Sequence, residues 1–173
     1  PESYVSDTWL YGNVRNGVTP GNSTRGLTGF FYQRNKAGDL LIDPTTGLPL
    51  RESVFVDRGY DRNPNWTLGV TNSFTYKNFS MSFLFDIRRG GDILNATEHY
   101  LTVRGLSRFT MDRNQPRVIT GVIRDGLENS GNPTRNNIVV VPRFQTAYYT
   151  DISEELFIEK DINWLRLRDV TLN

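Results

Sequence analysis

The sequence predicts an all-β chain in which a long antiparallel hairpin of membrane-spanning length sits among long loops. Three observations carry that reading. Apolar and polar residues alternate with period two along Trp66 to Tyr76 and again along Phe79 to Arg89. Only Lys77-Asn78 separates the two runs, which is the length of the commonest hairpin connection. Hydrophobic residues make up only 37% of the 173, yet aromatics reach 12%, with 15 Gly and 8 Pro, a mixture that favours strands and loops over helices.

Residues 1–65 read as turn-rich loops with short hairpins. Gly12, Gly17, Pro20-Gly21, Gly26 and Gly29 punctuate the first thirty residues. Gly29 to Arg34 (GFFYQR) and Leu40 to Ile42 are strand candidates, with Lys36 to Asp39 as the turn between them. Asp43 to Gly47 is a further turn. Val54 to Val56 is a short strand candidate, closed by Arg58-Gly59 and Asn63-Pro64. Residues 66–89 are the hairpin, and residues 90–163 a long loop. In that loop Asn95 with Glu98 resembles a capping box opening a short helix that Gly105 ends. Arg117 to Ile123 and Ile138 to Val141 are strand candidates, and Asp151 with Glu154 is read as capping one more turn. Residues 164–173 (WLRLRDVTLN) begin another long strand.

The hairpin register follows from the turn. A two-residue loop pairs Tyr76 with Phe79, Phe74 with Met81, Asn72 with Phe83, Val70 with Phe85 and Leu68 with Ile87. The other face then pairs Thr75 with Ser80, Ser73 with Ser82, Gly69 with Asp86 and Thr67 with Arg88. A slip of one residue would move every apolar side chain to the polar face, so the register is strongly specified. Asn78 is the turn residue expected to tolerate a positive φ. Eleven residues at about 3.3 Å each span roughly 36 Å, twice the usual strand. Tilted near 45°, they project to roughly 26 Å, the height of an outer-membrane apolar band. Tyr76 and Phe79 at the turn and Trp66 at the far end are placed like aromatic girdles. On this reading Trp66, Leu68, Val70, Phe74, Tyr76, Phe79, Met81, Phe83, Phe85 and Ile87 face lipid. Thr67, Ser73, Ser82, Asp86 and Arg88 face a lumen. A soluble β-sandwich adhesin or carbohydrate-binding module also alternates in this way, and stands as the alternative.

Composition excludes several chemistries. Twenty basic against nineteen acidic residues leave a net charge of +1, which gives no electrostatic reason to expect nucleic acid. There is no cysteine, so disulfides, thiolate metal sites and cysteine nucleophiles are excluded. One histidine, His99, rules out a two-histidine metal site, and it reads as a surface residue. No G-x-S-x-G motif is present, and no enzyme activity, cofactor or metal is expected. Asp39, Asp43, Asp57 and Asp61 do not have the spacing of a calcium loop and read as turn chemistry. Pro1 is not a methionine and Asn173 falls inside a strand-like pattern, so the chain is expected to be an internal piece of a longer protein.

Asn63 to Asn95 (NPNWTLGVTNSFTYKNFSMSFLFDIRRGGDILN) carries a recognisable pattern. Asn63-Pro64 is followed by Thr67-Leu68-Gly69, a strand ending in Tyr76, a tight turn, and a strand ending in Gly90-Gly91-Asp92. Asn163 to Asn173 adds a Leu-Arg-Leu-Arg strand. Leu10-Tyr11-Gly12 and Gly38 to Asp43 with Thr46 to Pro49 add weaker matches. These stretches resemble the SusC/RagA family of TonB-linked outer-membrane transporters of Gram-negative bacteria. The firm matches cover about a quarter of the chain, while residues 13–29 and 105–150 match nothing in the pattern. The resemblance implies a segment of the C-terminal half of a plugged, 22-stranded transmembrane antiparallel β-barrel with long extracellular loops containing short helices. It also implies a SusD-like surface lipoprotein as lid, import of glycans or peptides, and energy from TonB through parts absent from these residues.

Other residues receive weaker readings. Arg88, Arg89, Asp92, Arg104 and Arg108 are expected at a solvated loop base, a polar cavity being the sharper alternative. Arg166 and Arg168 are expected on the lumen side. Tyr60, Tyr100, Phe144, Tyr148 and Tyr149 read as loop aromatics. Sequons at Asn22, Asn65, Asn78 and Asn95 read as chance, since Asn78 would lie in a periplasmic turn.

Overall fold

The computed structural model describes residues 4–172 and is strand-rich, all-β-like, with few helices. In chain order the first seven strands are β1 (Tyr4–Tyr11), β2 (Val14–Val18), β3 (Gly26–Gly29), β4 (Leu41–Ile42), β5 (Val56–Asp61), β6 (Trp66–Tyr76) and β7 (Phe79–Arg89). Six follow: β8 (Ile93–Leu94), β9 (Arg117–Val118), β10 (Val122–Ile123), β11 (Val139–Val140), β12 (Ile158–Glu159) and β13 (Trp164–Leu172). Two short helices, α1 (Ala96–Val103) and α2 (Ala147–Thr150), lie in the long loop.

These elements build two parts. One is a three-stranded antiparallel sheet in the order β13-β7-β6. The β6–β7 register runs from Trp66 opposite Arg89 to Tyr76 opposite Phe79 without a break, as the alternation requires. The left-handed turn residue is Lys77, at φ 54°, rather than Asn78. β13 pairs with β7 through a bulge. Leu165 and Leu167 lie opposite Ile87 and Phe85; Arg168 has no register partner on β7, and Val170 and Leu172 then meet Phe83 and Met81. Four apolar residues of β13 therefore share one face although their spacing breaks period two. The extra residue absorbs the phase change.

The second part is a loop body with its own core. β1, β2, β3 and β5 form an antiparallel sheet, and Val14, Leu27, Phe31, Tyr60 and Ile158 pack as its core. The glycines of residues 4–29 do not all break the chain as expected. Gly17 lies inside β2, where a Cβ would stand 2.0 Å from Thr28 Cγ2, so it is a close-approach residue between paired strands. GFFYQR is likewise not one strand: β3 ends at Gly29, and Tyr32 and Arg34 make isolated bridges to Arg51 and Leu40. The Lys36–Asp39 turn stands, closed by the amide of Asn35 donating to the Asp39 carbonyl. The strand candidate at Val54 to Val56 is displaced, and Arg58-Gly59 lies within β5 at a bulge. Arg117 to Ile123 divides into β9 and β10, which pair with β11 and β4.

Helix α1 forms as its ends dictate. Asn95 Oδ1 accepts from the amide of Glu98, and beyond Val103 the amides of Gly105 and Leu106 return to the carbonyls of Thr102 and Leu101. The box is not reciprocal, since the Glu98 carboxylate accepts from Ser107 Oγ. The turn near Glu154 is capped by Ser153, not Asp151: Ser153 Oγ accepts from the amide of Glu155.

A glycine-aspartate junction joins the two parts. Gly90 and Gly91 take φ of 80° and 92°, where L side chains are strained. They swing the chain out of β7 so that Asp92 can accept from two amides, Asp61 at 2.9 Å and Asp161 at 3.0 Å. Asp92 thereby ties the end of β5 and the approach to β13 to one point.

Candidate functional site: a bare apolar face and a loop cleft

Among the described residues nothing covers the apolar face of the three-stranded sheet. Phe74 is 54% exposed, Leu68 47% and Val70 40%, and Trp66, Tyr76, Phe79, Leu165, Leu167, Val170 and Leu172 are also exposed. Met81, Phe83, Phe85 and Ile87 are half-buried because β7 is the middle strand, with Phe83 packed edge-on against Phe85 at 5.3 Å. A contiguous apolar surface of this kind is rare on a soluble monomer. The opposite face carries Thr67, Ser73, Ser82, Asp86 and Arg88. Arg168 pairs with Asp86 there at 3.0 Å, and Arg166 lies over the Trp164 ring. Among the described residues no strand pairs with the outer edges of β6 and β13, so the sheet does not close. No helix among the described residues is long and apolar enough to cross a membrane, which says nothing of strands.

The loop body is pinned by a network that sequence reasoning missed. Glu154 and Glu155 are both buried. Glu154 Oε2 pairs with Arg51 at 2.6 Å, and its Oε1 accepts from the Asn13 amide at 2.9 Å. Glu155 accepts from the Tyr60 hydroxyl at 3.0 Å, the Tyr32 amide at 3.2 Å and Arg34 at 3.5 Å. Tyr60 is thus not an exposed loop aromatic: it is a core residue of β5, and burial, reinforced by the Glu155 charge, raises its hydroxyl well above the ordinary tyrosine range. The available signal was Ser153, two residues beyond Asp151 and three before an apolar Leu156-Phe157-Ile158 run.

His99 is also corrected. It is buried, not a surface residue, between the rings of Tyr11 and Phe157. Its Nε2 lies 3.1 Å from the Ile152 carbonyl and its Nδ1 2.9 Å from the Tyr11 hydroxyl. The neutral Nε2–H tautomer satisfies both, donating to the carbonyl and accepting from the phenol.

Asp43 and Asp57 serve turns: Asp43 Oδ1 accepts from the amides of Thr45 and Thr46, and Asp57 from that of Gly59. Asp61 accepts from the Asn63 amide and Ser23 Oγ, and Asp39 pairs with Arg135. Arg88 folds back onto the carbonyls of Gly90 and Arg62, and Arg104 lies over the Tyr100 ring.

Two adjoining cavities open beneath α2. The larger, about 430 Å³, lies between the 40–51 segment and residues 147–156. The smaller, about 290 Å³, shares Tyr148, Ile152 and Leu156 with it and reaches Phe109, Arg117 and Phe157. Arg117 is held there by Asp112 at 2.8 Å and by the Tyr148 ring. Around this smaller cavity Thr102 Oγ1 and the Tyr149 hydroxyl are buried without a protein partner. No protein-family model matches the chain, and no curated protein matches it significantly.

Proposed function

We propose that this chain is part of a SusC-like TonB-dependent transporter in the outer membrane of a Gram-negative cell. Its three long strands belong to a 22-stranded barrel, and its loop body stands outside the cell under a SusD-like lipoprotein. The transporter imports glycans or peptides by gated passage, with no bond chemistry, and draws energy through TonB. The observation that carries this reading is the bare apolar face of β6, β7 and β13. A sandwich module would lay a second layer over Leu68, Val70 and Phe74, and no described residue does so. Lipid fits that face: it is a band of aliphatic and aromatic side chains between aromatic ends, on strands long enough to cross a bilayer when tilted. The polar reverse face, with the Asp86–Arg168 pair, suits a wet lumen.

Sidedness provides the test. Outer-membrane barrels have short periplasmic turns and long outer loops. In the full-length parent protein expressed in its host, a cysteine at Ser130 labels on intact cells with a membrane-impermeant maleimide. One at Asn78 labels only after the outer membrane is permeabilised. The reverse pattern, or recovery of the parent in a soluble fraction, overturns the reading.

A further inference from the structure

The larger cavity beneath α2 has a lining that selects among ligands. Its walls are aliphatic, with Leu40, Leu48, Leu50, Ile119 and Ile152 foremost, beside the rings of Tyr32 and Tyr148. Nearly every polar group on those walls is already engaged. Arg51 is held by Glu154 and by the Phe30 carbonyl; the Tyr32 hydroxyl accepts from the Ser153 amide. Asp43 accepts from its own turn, and the Thr46 carbonyl accepts from Gln145. Of the charged groups on those walls, Asp151, an exposed residue at the rim, is the one whose carboxylate has no hydrogen-bond or ion-pair partner among the described residues.

A sugar ring needs a fan of unengaged donors and acceptors to replace its hydration, because each buried hydroxyl left unpaired costs binding. This wall does not offer that fan. It offers apolar volume and one negative charge. The volume lies within the range of small-molecule sites. The wall is also preformed. Gly47 is packed so closely that a Cβ there would stand 2.8 Å from Ile138 Cγ2, which fixes the 43–48 turn against the body. A preformed wall loses little entropy on binding.

We infer that this cleft binds the amino-terminal end of a peptide whose first residues are bulky and apolar. The side chains fill the cavity and the terminal ammonium pairs with Asp151. In the proposed transporter this names peptide, not glycan, as the substrate class. The inference rests on the transport reading only in calling the ligand a substrate.

Titration calorimetry on the purified full-length parent in detergent tests it, with Leu-Leu-Gly, N-acetyl-Leu-Leu-Gly and maltoheptaose as probes. Leu-Leu-Gly is expected to bind at least tenfold more tightly than its acetylated form, and maltoheptaose not to displace it. Asp151→Asn, at an exposed rim position where folding is not at stake, is expected to remove the preference for the free amine. It leaves the acetylated peptide unaffected. Equal binding of the two peptides, no peptide binding, displacement by maltoheptaose, or a preference unchanged in Asp151→Asn each overturns the proposal. None of these outcomes alters the cysteine-labelling pattern, so failure here and failure of the transporter reading are told apart.

Discussion

Val70 and Ser73 lie three residues apart on β6 and point to opposite faces. If the Val70 face meets hydrocarbon, Val70→Arg near the midplane costs about 2–4 kcal/mol, whereas Ser73→Arg or Ser82→Arg on the polar face costs far less. Reversible unfolding of the parent from lipid vesicles checks this, and equal costs would indicate protein on both faces. Tyr60 supports a second prediction. Its folded-state pKa is raised, first by burial and then by the Glu155 charge. The unfolded state therefore loses its proton first, at about pH 10. The stabilisation is whole below that value and falls as pH rises above it. Protease resistance of the loop body should decline on the alkaline side. Tyr60→Phe flattens that decline and lowers neutral-pH stability by about 1.5–3 kcal/mol, the worth of a hydrogen bond to a charged acceptor.

Among the elements, two local devices hold the sheet in register. The β6–β7 turn depends on Lys77 in the left-handed region. Lys77→Pro, with φ locked near −65°, cannot make this turn and should abolish the folded, heat-modifiable band of the parent on gel electrophoresis. Lys77→Asn should keep it. The second device is the bulge at Arg168. Deleting Arg168 removes the extra residue and leaves Val170 and Leu172 opposite Phe83 and Met81, whereas deleting Arg168 and Asp169 together turns both to the polar face. The double deletion, and not the single one, should lose the folded band.

The molecule as a whole is a folded loop body on an open three-stranded sheet. The body has its own core and its own buried ion pairs, so its order does not depend on the sheet being closed. Among the described residues the sheet has two unpaired edges and a bare aromatic face. Open edges are forbidden in a bilayer, and in water they invite edge-to-edge pairing. Expressed alone, residues 1–173 should therefore aggregate without detergent. Removing 66–89 and 164–172 with short linkers in their place should yield a soluble body. Size-exclusion chromatography of the two distinguishes them, and a monodisperse intact chain in plain buffer would contradict the expectation.

The sequence by itself determined what is local and periodic. The β6–β7 pairing was legible because a two-residue loop and an eleven-residue alternation leave one register. The Lys36–Asp39 turn and the ends of α1 were legible because Gly, Asn and Asp have short-range backbone chemistry. The tertiary structure alone decided what depends on distant partners. It put Glu154 and Glu155 inside, since their neutralising groups, Arg51, Arg34, Asn13 and Tyr60, come from 95 or more residues away in the chain. It buried His99 by bringing Tyr11 and Ile152 to its two nitrogens. It assembled the cleft from segments 40–51 and 147–156, which lie about a hundred residues apart in the chain. A carboxylate or an imidazole is buried only where the fold satisfies it, and no pattern of neighbours along the chain records that satisfaction.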